Sequence, residues 1–220
     1  MVHLIENLLS PTEVTSIRET LEGQEFADGG VTAGAVARIV KHNTQVPRTA
    51  ACAEDVTKIV YGVMQRSPQF QAVAYPRILH SLLVARYEPG MSYGPHIDDP
   101  LMSAQRVRAD VSATLFLSDP SEYDGGELEV GTPYNQAFKG AAGSLVVYPS
   151  TSIHQVLPVT RGVRLVVVFW IESLIRDAAN REILFDIDQT RRSLFARDGK
   201  SRECDLLMKT HANLIRRWVG

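Results

Sequence analysis

Cysteine is nearly absent from this chain. Cys52 and Cys204 are the only two in 220 residues, and they stand far apart, so there is no disulfide framework and no cysteine-based zinc site to expect. Both thiols are expected to be reduced. Long apolar runs are missing too: the longest, Leu165 to Ile171, falls far short of the roughly 20 residues that cross a bilayer. The opening Met1-Val2-His3-Leu4-Ile5-Glu6 lacks the basic region and apolar stretch of a secretory signal. Cytoplasmic residence without a membrane partner is the expectation. Neither sign of charge dominates, with 23 Lys and Arg against 25 Asp and Glu for a formal net charge of −2. With no long basic block, nothing predicts a nucleic-acid partner, and Arg191-Arg192 and Arg216-Arg217 read as solvated helix faces. Repeats, low-complexity stretches and Pro/Gly/Ser linkers are also lacking, which predicts one compact body.

What is present suits an ordinary globular protein. Hydrophobic residues make up 45% of the chain, and mean hydropathy is close to zero. That is enough for one sizeable core with decorations. Three textures follow one another. Residues 1–76 form a mixed α/β region expected to pack on the core. Ser10, Pro11 and Glu13 make a capping box that starts a helix running to about Glu22, with Val14, Ile17 and Leu21 on its buried side. A second amphipathic helix is predicted over Ala53 to Gln65. Residues 77–173 are β-rich, with strands predicted at Ile78 to Tyr87, Val111 to Leu117, Gly126 to Val130, Ser144 to Tyr148 and Val163 to Ile171. Short strands at close spacing, uninterrupted by helices, favour a sandwich or jelly roll over a βαβ fold. Residues 174–220 turn helical and charged, with Ile175, Ala178, Ala179, Ile183, Leu184 and Ile187 predicted on one face. A break at Asp198-Gly199 precedes a last helix near Glu203 to Trp218, in which Leu206, Leu207, Leu214 and Trp218 are placed to pack.

The chemistry centres on His96-Ile97-Asp98. Six histidines and 25 acidic residues produce a His-x-acid triplet nearly once by chance, so spacing has to carry the argument. In an extended strand, side chains at i and i+2 share a face, and His96 and Asp98 can offer an imidazole nitrogen and a carboxylate oxygen to one ion. A third ligand must come from elsewhere, and His154, just after an apolar strand and a Pro turn, is the candidate. Two imidazoles and one carboxylate leave other coordination positions open and favour ferrous iron in an oxygenase, although ligand type alone leaves zinc, manganese and cobalt open. Arg164 opens the run Leu165-Val166-Val167-Val168-Phe169-Trp170, apolar at both parities and so expected to be buried on both faces. A guanidinium there needs an anionic partner. The partner is either an internal Asp or Glu or the carboxylate of an arriving ligand, for which the Arg fork is well suited.

The order His96-x-Asp98, His154 and Arg164 resembles the iron(II)- and 2-oxoglutarate-dependent dioxygenases, particularly their prolyl-hydroxylase-like branch. The approach Arg86-Tyr87-Glu88-Pro89-Gly90 to Tyr93-Gly94-Pro95-His96, the turn Asp124-Gly125-Gly126-Glu127-Leu128 and the strand Gly143 to Pro149 match that branch. Asp28-Gly29-Gly30-Val31-Thr32-Ala33-Gly34 with Val40-Lys41-His42-Asn43-Thr44-Gln45 resembles the narrower bacterial PKHD-type hydroxylase family, which the C-terminal helices also suit. The resemblance implies a mainly β fold with flanking helices around a double-stranded β-helix, or jelly-roll, core. It implies that His96, Asp98 and His154 hold Fe(II) and that Arg164 pairs with the far carboxylate of 2-oxoglutarate. The implied activity is hydroxylation of an unactivated C–H bond with O2, releasing succinate and carbon dioxide, with L-ascorbate as reducing helper.

Other positions are less determined. Tyr87 matches a tyrosine near the co-substrate in that branch, and a strand-end Tyr serves equally as core. Ser112, Thr114 and Phe116 share one strand face. Phe116 stands where some relatives carry a co-substrate-binding Tyr, and Thr114 is the candidate replacement. Asn43 and Gln45 belong to the family pattern and are candidates to face a substrate. Trp170 is expected in the core, and His3, His42, His80 and His211 are expected to be structural or superficial. Two alternatives are a non-catalytic iron- and 2-oxoglutarate-binding sensor and a cupin-like zinc enzyme. The substrate, small-molecule or peptidyl, and the oligomeric state are unreadable at this level.

Overall fold

Ser10 starts the first helix as its spacing predicts. Its hydroxyl accepts from the Glu13 N–H, the Glu13 carboxylate accepts from the Ser10 N–H at 2.8 Å, and Pro11 leads α1, Pro11–Leu21. This computed structural model describes residues 1–102, 105–131 and 136–220. The second helix, α2, is Ala51–Arg66, slightly longer than its apolar periodicity predicts. A third, α3, Pro68–Ala74, follows at once and was not expected. Its signal is nonetheless local: Ser67 caps it by accepting from the Phe70 N–H, and Pro68 occupies its first turn, which is the Ser-Pro device that starts α1.

The strands form two principal antiparallel sheets. The seven-stranded sheet runs, in spatial order, His3–Ile5, Leu145–Pro149, Val111–Phe116, Arg164–Ser173, Pro76–Tyr87, Thr44–Gln45 and Ala27–Asp28. The five-stranded sheet runs Gln136–Phe138, Leu128–Val130, His154–Val156, Ser92–His96 and Lys41–His42. Facing sheets of this order make the jelly-roll core that the strand spacing favoured. The N-terminal region supplies strands to both sheets as well as helices.

Side-chain parity explains why the central strands are buried throughout. In Val111–Phe116 every residue is buried. Val111, Ala113 and Leu115 face outward into a core shared with Ile17, Val56, Val60, Met64 and Phe70 of α1, α2 and α3, whereas Phe116 belongs to a second core between the sheets. Arg164–Ser173 divides the same way, with Val167, Phe169 and Ile171 toward the helices and Val166 and Val168 toward the inter-sheet space. The helices therefore brace the outer face of the large sheet, leaving its inner face to the cavity.

The C-terminal region folds as α4, Ala178–Asp198, and α5, Arg202–Trp218. The buried face of α4 differs from the apolar face expected. Leu184 is buried, Ile183 is exposed, and Arg181 and Asp188 take buried positions beside Leu184. Both polar groups are satisfied there: Arg181 donates to the carbonyls of Ile175, Arg176 and Asp110, and Asp188 pairs with Arg191 and Arg192. In α5, Leu206 is exposed while Leu207, Leu214 and Trp218 are half-buried. Among the described residues, no helix is long and apolar enough to cross a membrane.

Candidate active site

His96 ends the strand Ser92–His96 and His154 opens the strand His154–Val156. These neighbours run antiparallel with the two histidines directly opposite each other, their ring centroids 4.2 Å apart. The strand expected to carry both His96 and Asp98 stops at His96, and Asp98 lies just beyond it. Beyond that end Ile97 is exposed, and the Asp98 carboxylate turns in to lie 3.6 Å from Nε2 of His154. One ligand atom from each of His96, Asp98 and His154 falls within 4.8 Å of the others. Three donors converge from two strands and the segment just beyond one of them.

The surrounding hydrogen bonds fix what each donor can offer. Nδ1 of His96 lies 2.9 Å from the Gly94 carbonyl and Nδ1 of His154 lies 3.1 Å from that of Ser152. A carbonyl only accepts, so both imidazoles carry a proton on Nδ1, and Nε2 is the nitrogen each can offer to an ion. Burial, and then the neighbouring His154, push the His96 pKa down to about 4, which leaves its ring neutral at neutral pH. Ser112 donates to Oδ2 of Asp98 at 2.6 Å and is joined to Ser150 at 2.7 Å. Tyr93 stacks on His96 with 3.5 Å between centroids, and Tyr148 lies 4.9 Å from the His154 ring. This donor set, two imidazoles held by their Nδ1–H groups and one oriented carboxylate, fits a divalent transition ion with open positions.

Arg164 is the second half of the site. It opens the strand Arg164–Ser173 opposite Tyr87 and is only 1% exposed. Its guanidinium lies 5.1 Å from the Tyr87 ring centre and 5.6 Å from that of Phe116. Among the described residues Nε and Nη2 make no well-formed hydrogen bond, the buried Tyr123 hydroxyl beside the guanidinium is likewise left unpaired, and no Asp or Glu pairs with Arg164. The internal ion pair open at the level of sequence is therefore not made. A buried, charged, two-pronged donor is left facing a cavity of about 530 Å³, which His96, Asp98, His154, Tyr87 and Thr114 also line. The Gly-Gly turn stands behind it. Gly126 has φ +68°, and a Cβ there would come within 3.0 Å of Cδ of Arg164.

The other candidates divide plainly. Tyr87 and Thr114 are buried and line the cavity, as do Ser112, Asn43 and Gln45. Trp170, expected in the core, is half-buried and lines the cavity, and its indole N–H has no partner among the described residues. His3 packs on Phe185, His80 bonds the Arg108 carbonyl, His211 bonds the Tyr75 hydroxyl and His42 is exposed. Sequence reasoning missed Tyr93, Tyr148, Ser150 and Lys41 as site residues. Lys41 and Tyr93 lay inside recognised motifs, but nothing in their local pattern says they meet the cavity. Lys41 is 8% exposed, its Nζ donates to Thr32 Oγ1 at 2.9 Å, and burial pushes its pKa down to about 8.

Residues 82–172 match the family model of the 2OG-Fe(II) oxygenase superfamily, and residues 178–220 match that of the PKHD-type hydroxylase C-terminal domain. A PKHD-type hydroxylase of Synechococcus elongatus is 50% identical over 221 residues, covering 99% of each chain. The structure of a Pseudomonas putida prolyl-4-hydroxylase superposes with a TM-score of 0.55 at 21% identity, over 78% of this chain and 92% of that one. A Trichoplax adhaerens prolyl hydroxylase, solved with a peptide fragment of the hypoxia inducible factor oxygen degradation domain, gives 0.57 at 16% identity, over 83% and 86%.

Proposed function

Because the chain belongs to the PKHD-type hydroxylases of the 2OG-Fe(II) oxygenase superfamily and is an iron- and 2-oxoglutarate-dependent oxidoreductase, we propose the following reaction for it. An unactivated C–H bond of a small-molecule or peptidyl substrate is hydroxylated with one O2 and one 2-oxoglutarate, releasing succinate and carbon dioxide. In this reading His96, Asp98 and His154 hold Fe(II), Arg164 binds the far carboxylate of 2-oxoglutarate, and Tyr87 and Thr114 line the co-substrate's bed. Ascorbate is the supporting reductant, and the cytoplasm is the expected setting.

The observation that carries the reading is Arg164, whose buried guanidinium has unused donors in the cavity that also receives the triad. A buried cation without an anion is costly, so the pocket is complete only with a carboxylate in it. Iron, with 2-oxoglutarate and oxygen, supplies the oxidising power for C–H hydroxylation. The chain's own residues do the positioning. Gly94 and Ser152 hold the two imidazoles as Nδ1–H tautomers, and Ser112 orients Asp98. The Tyr87 and Phe116 rings cover the guanidinium and keep water from competing for it.

Anaerobic addition of Fe(II) and 2-oxoglutarate to the purified protein is expected to give a weak visible metal-to-ligand charge-transfer band that Asp98→Ala abolishes. Admitting oxygen with substrate should then yield succinate and hydroxylated product in equal amounts. Folded, iron-loaded protein that gives no band overturns the reading.

A further inference from the structure

The cavity contains a second buried cation that the reaction so far leaves unused. Lys41 belongs to the edge strand of the five-stranded sheet, in register with Tyr93, and its ammonium lies 5.2 Å from the centre of the Tyr93 ring that stacks on His96. Its hydrogen bond goes to the neutral hydroxyl of Thr32, and among the described residues no carboxylate lies within ion-pair distance of it. An ammonium has three protons to donate. Lys41 is thus in the condition of Arg164, buried, cationic and short of an anion, but on the other sheet and beside an exposed segment, since Thr32 is exposed at the cavity mouth.

We propose that Lys41 is the binding site for a carboxylate of the prime substrate, so that the molecule hydroxylated is a carboxylic acid held between the Lys41 ammonium and the metal. The proposal rests on the reading above, in which iron and Arg164 account for both ends of 2-oxoglutarate and leave Lys41 free. The carboxylates of Asp98 and Asp99, which line the same cavity, oppose a dianion such as a phosphate monoester; Arg48 also lines the cavity but is exposed, which leaves Lys41 as the buried cation for a singly charged group. Val31, Ile97 and Leu101 line the cavity and are exposed, an apolar approach for the remainder of such an acid. The competing role is structural: Lys41 fastens Thr32, whose hydroxyl also bonds Gln45 at 2.8 Å, and so anchors the mouth segment to the sheet.

Anaerobic calorimetry on protein saturated with Fe(II) and 2-oxoglutarate separates these roles, with N-acetylglycine and its uncharged analogue N-acetylglycinamide as probes. The acid is expected to bind at least about tenfold tighter than the amide, a preference that Lys41→Met removes and Lys41→Arg retains, with 2-oxoglutarate affinity unchanged within about twofold in both variants. An N-acetyl-aspartyl peptide amide in a parallel titration distinguishes a peptide side chain from a free acid as the source of the carboxylate. Equal binding of acid and amide to the wild-type protein overturns the proposal, as does a preference that survives Lys41→Met. Equal weakening of both probes with a lowered Tm assigns Lys41 the structural role instead. Loss of 2-oxoglutarate affinity in Lys41→Met moves the residue to the co-substrate and also overturns it. Should wild-type protein fail to bind 2-oxoglutarate at all, the reading above fails, and the acid-over-amide preference is then measured on protein carrying Fe(II) alone.

Discussion

Ser112 donates a 2.6 Å hydrogen bond to Oδ2 of Asp98, tying the carboxylate beyond one sheet to a strand in the middle of the other. Groups that orient a metal ligand in this way typically contribute about 10–100-fold to metal affinity. Ser112→Ala is expected to weaken Fe(II) binding by about that factor without unfolding the protein. Competition against a chelating indicator, with circular dichroism as the fold control, measures it. An unchanged affinity means that Asp98 is positioned without Ser112.

Arg164→Met separates the co-substrate role from a structural one. A hydrogen bond to a charged group contributes about 1.5–3 kcal/mol, so the Kd for 2-oxoglutarate should rise by about 10–100-fold. In the ligand-free protein the same change replaces a buried cation that has no carboxylate partner among the described residues with an apolar side chain of similar length. Its Tm should therefore match or exceed that of the wild type. A marked loss of ligand-free stability would show that Arg164 supports the fold.

Gly126→Ala tests the backing of Arg164. The residue has φ +68°, and its new Cβ would meet Val159 Cγ2 at 2.9 Å and Arg164 Cδ at 3.0 Å. Strain of this kind costs about 1–3 kcal/mol. Lower stability in denaturant titration is expected together with weaker 2-oxoglutarate binding, because the clash pushes on the guanidinium's own stem. Lower stability with unaltered co-substrate affinity contradicts that link.

His96 contributes to the pH dependence of the metal-free protein, in the same direction as the half-buried His3, His80 and His211, whose pKa values burial also lowers. Burial, and then His154, hold its pKa near 4, below the ordinary value of 6.5, so the unfolded chain takes up a proton that the folded chain refuses. The unfolded state binds more protons between those two values, and stability therefore rises with pH across that window and falls on acidification. Denaturation midpoints measured from pH 7 to pH 4.5 should decline, with a shallower slope in His96→Asn. Equal slopes in the two proteins would refute the assignment to His96.

Some features of this protein are written locally. The Ser10-Pro11-Glu13 cap starts α1 because its partners lie within three residues of each other, and the Ser67-Pro68 pair that starts α3 is equally local, though too short an element to stand out by periodicity. The alternation in Val111–Phe116 and Arg164–Ser173 likewise places Ser112, Thr114, Phe116 and Arg164 on one face, because a strand's side chains alternate whatever its neighbours are. The α4 face shows where local reading stops. Arg181 and Asp188 are buried because carbonyls of Ile175 and Asp110 and the guanidinium groups of Arg191 and Arg192 meet them, and hydrophobic spacing carries no trace of such partners.

Residue identity and spacing alone therefore set the helices, the strand parities and the candidate donors His96, Asp98, His154 and Arg164. Only tertiary pairing brings His154 opposite His96, leaves Arg164 without an internal carboxylate and turns Lys41 into the same cavity. The reason is physical. Secondary structure depends on torsions and contacts a few residues apart. A site between two sheets depends on which distant strands become neighbours and which buried charges they leave unmatched.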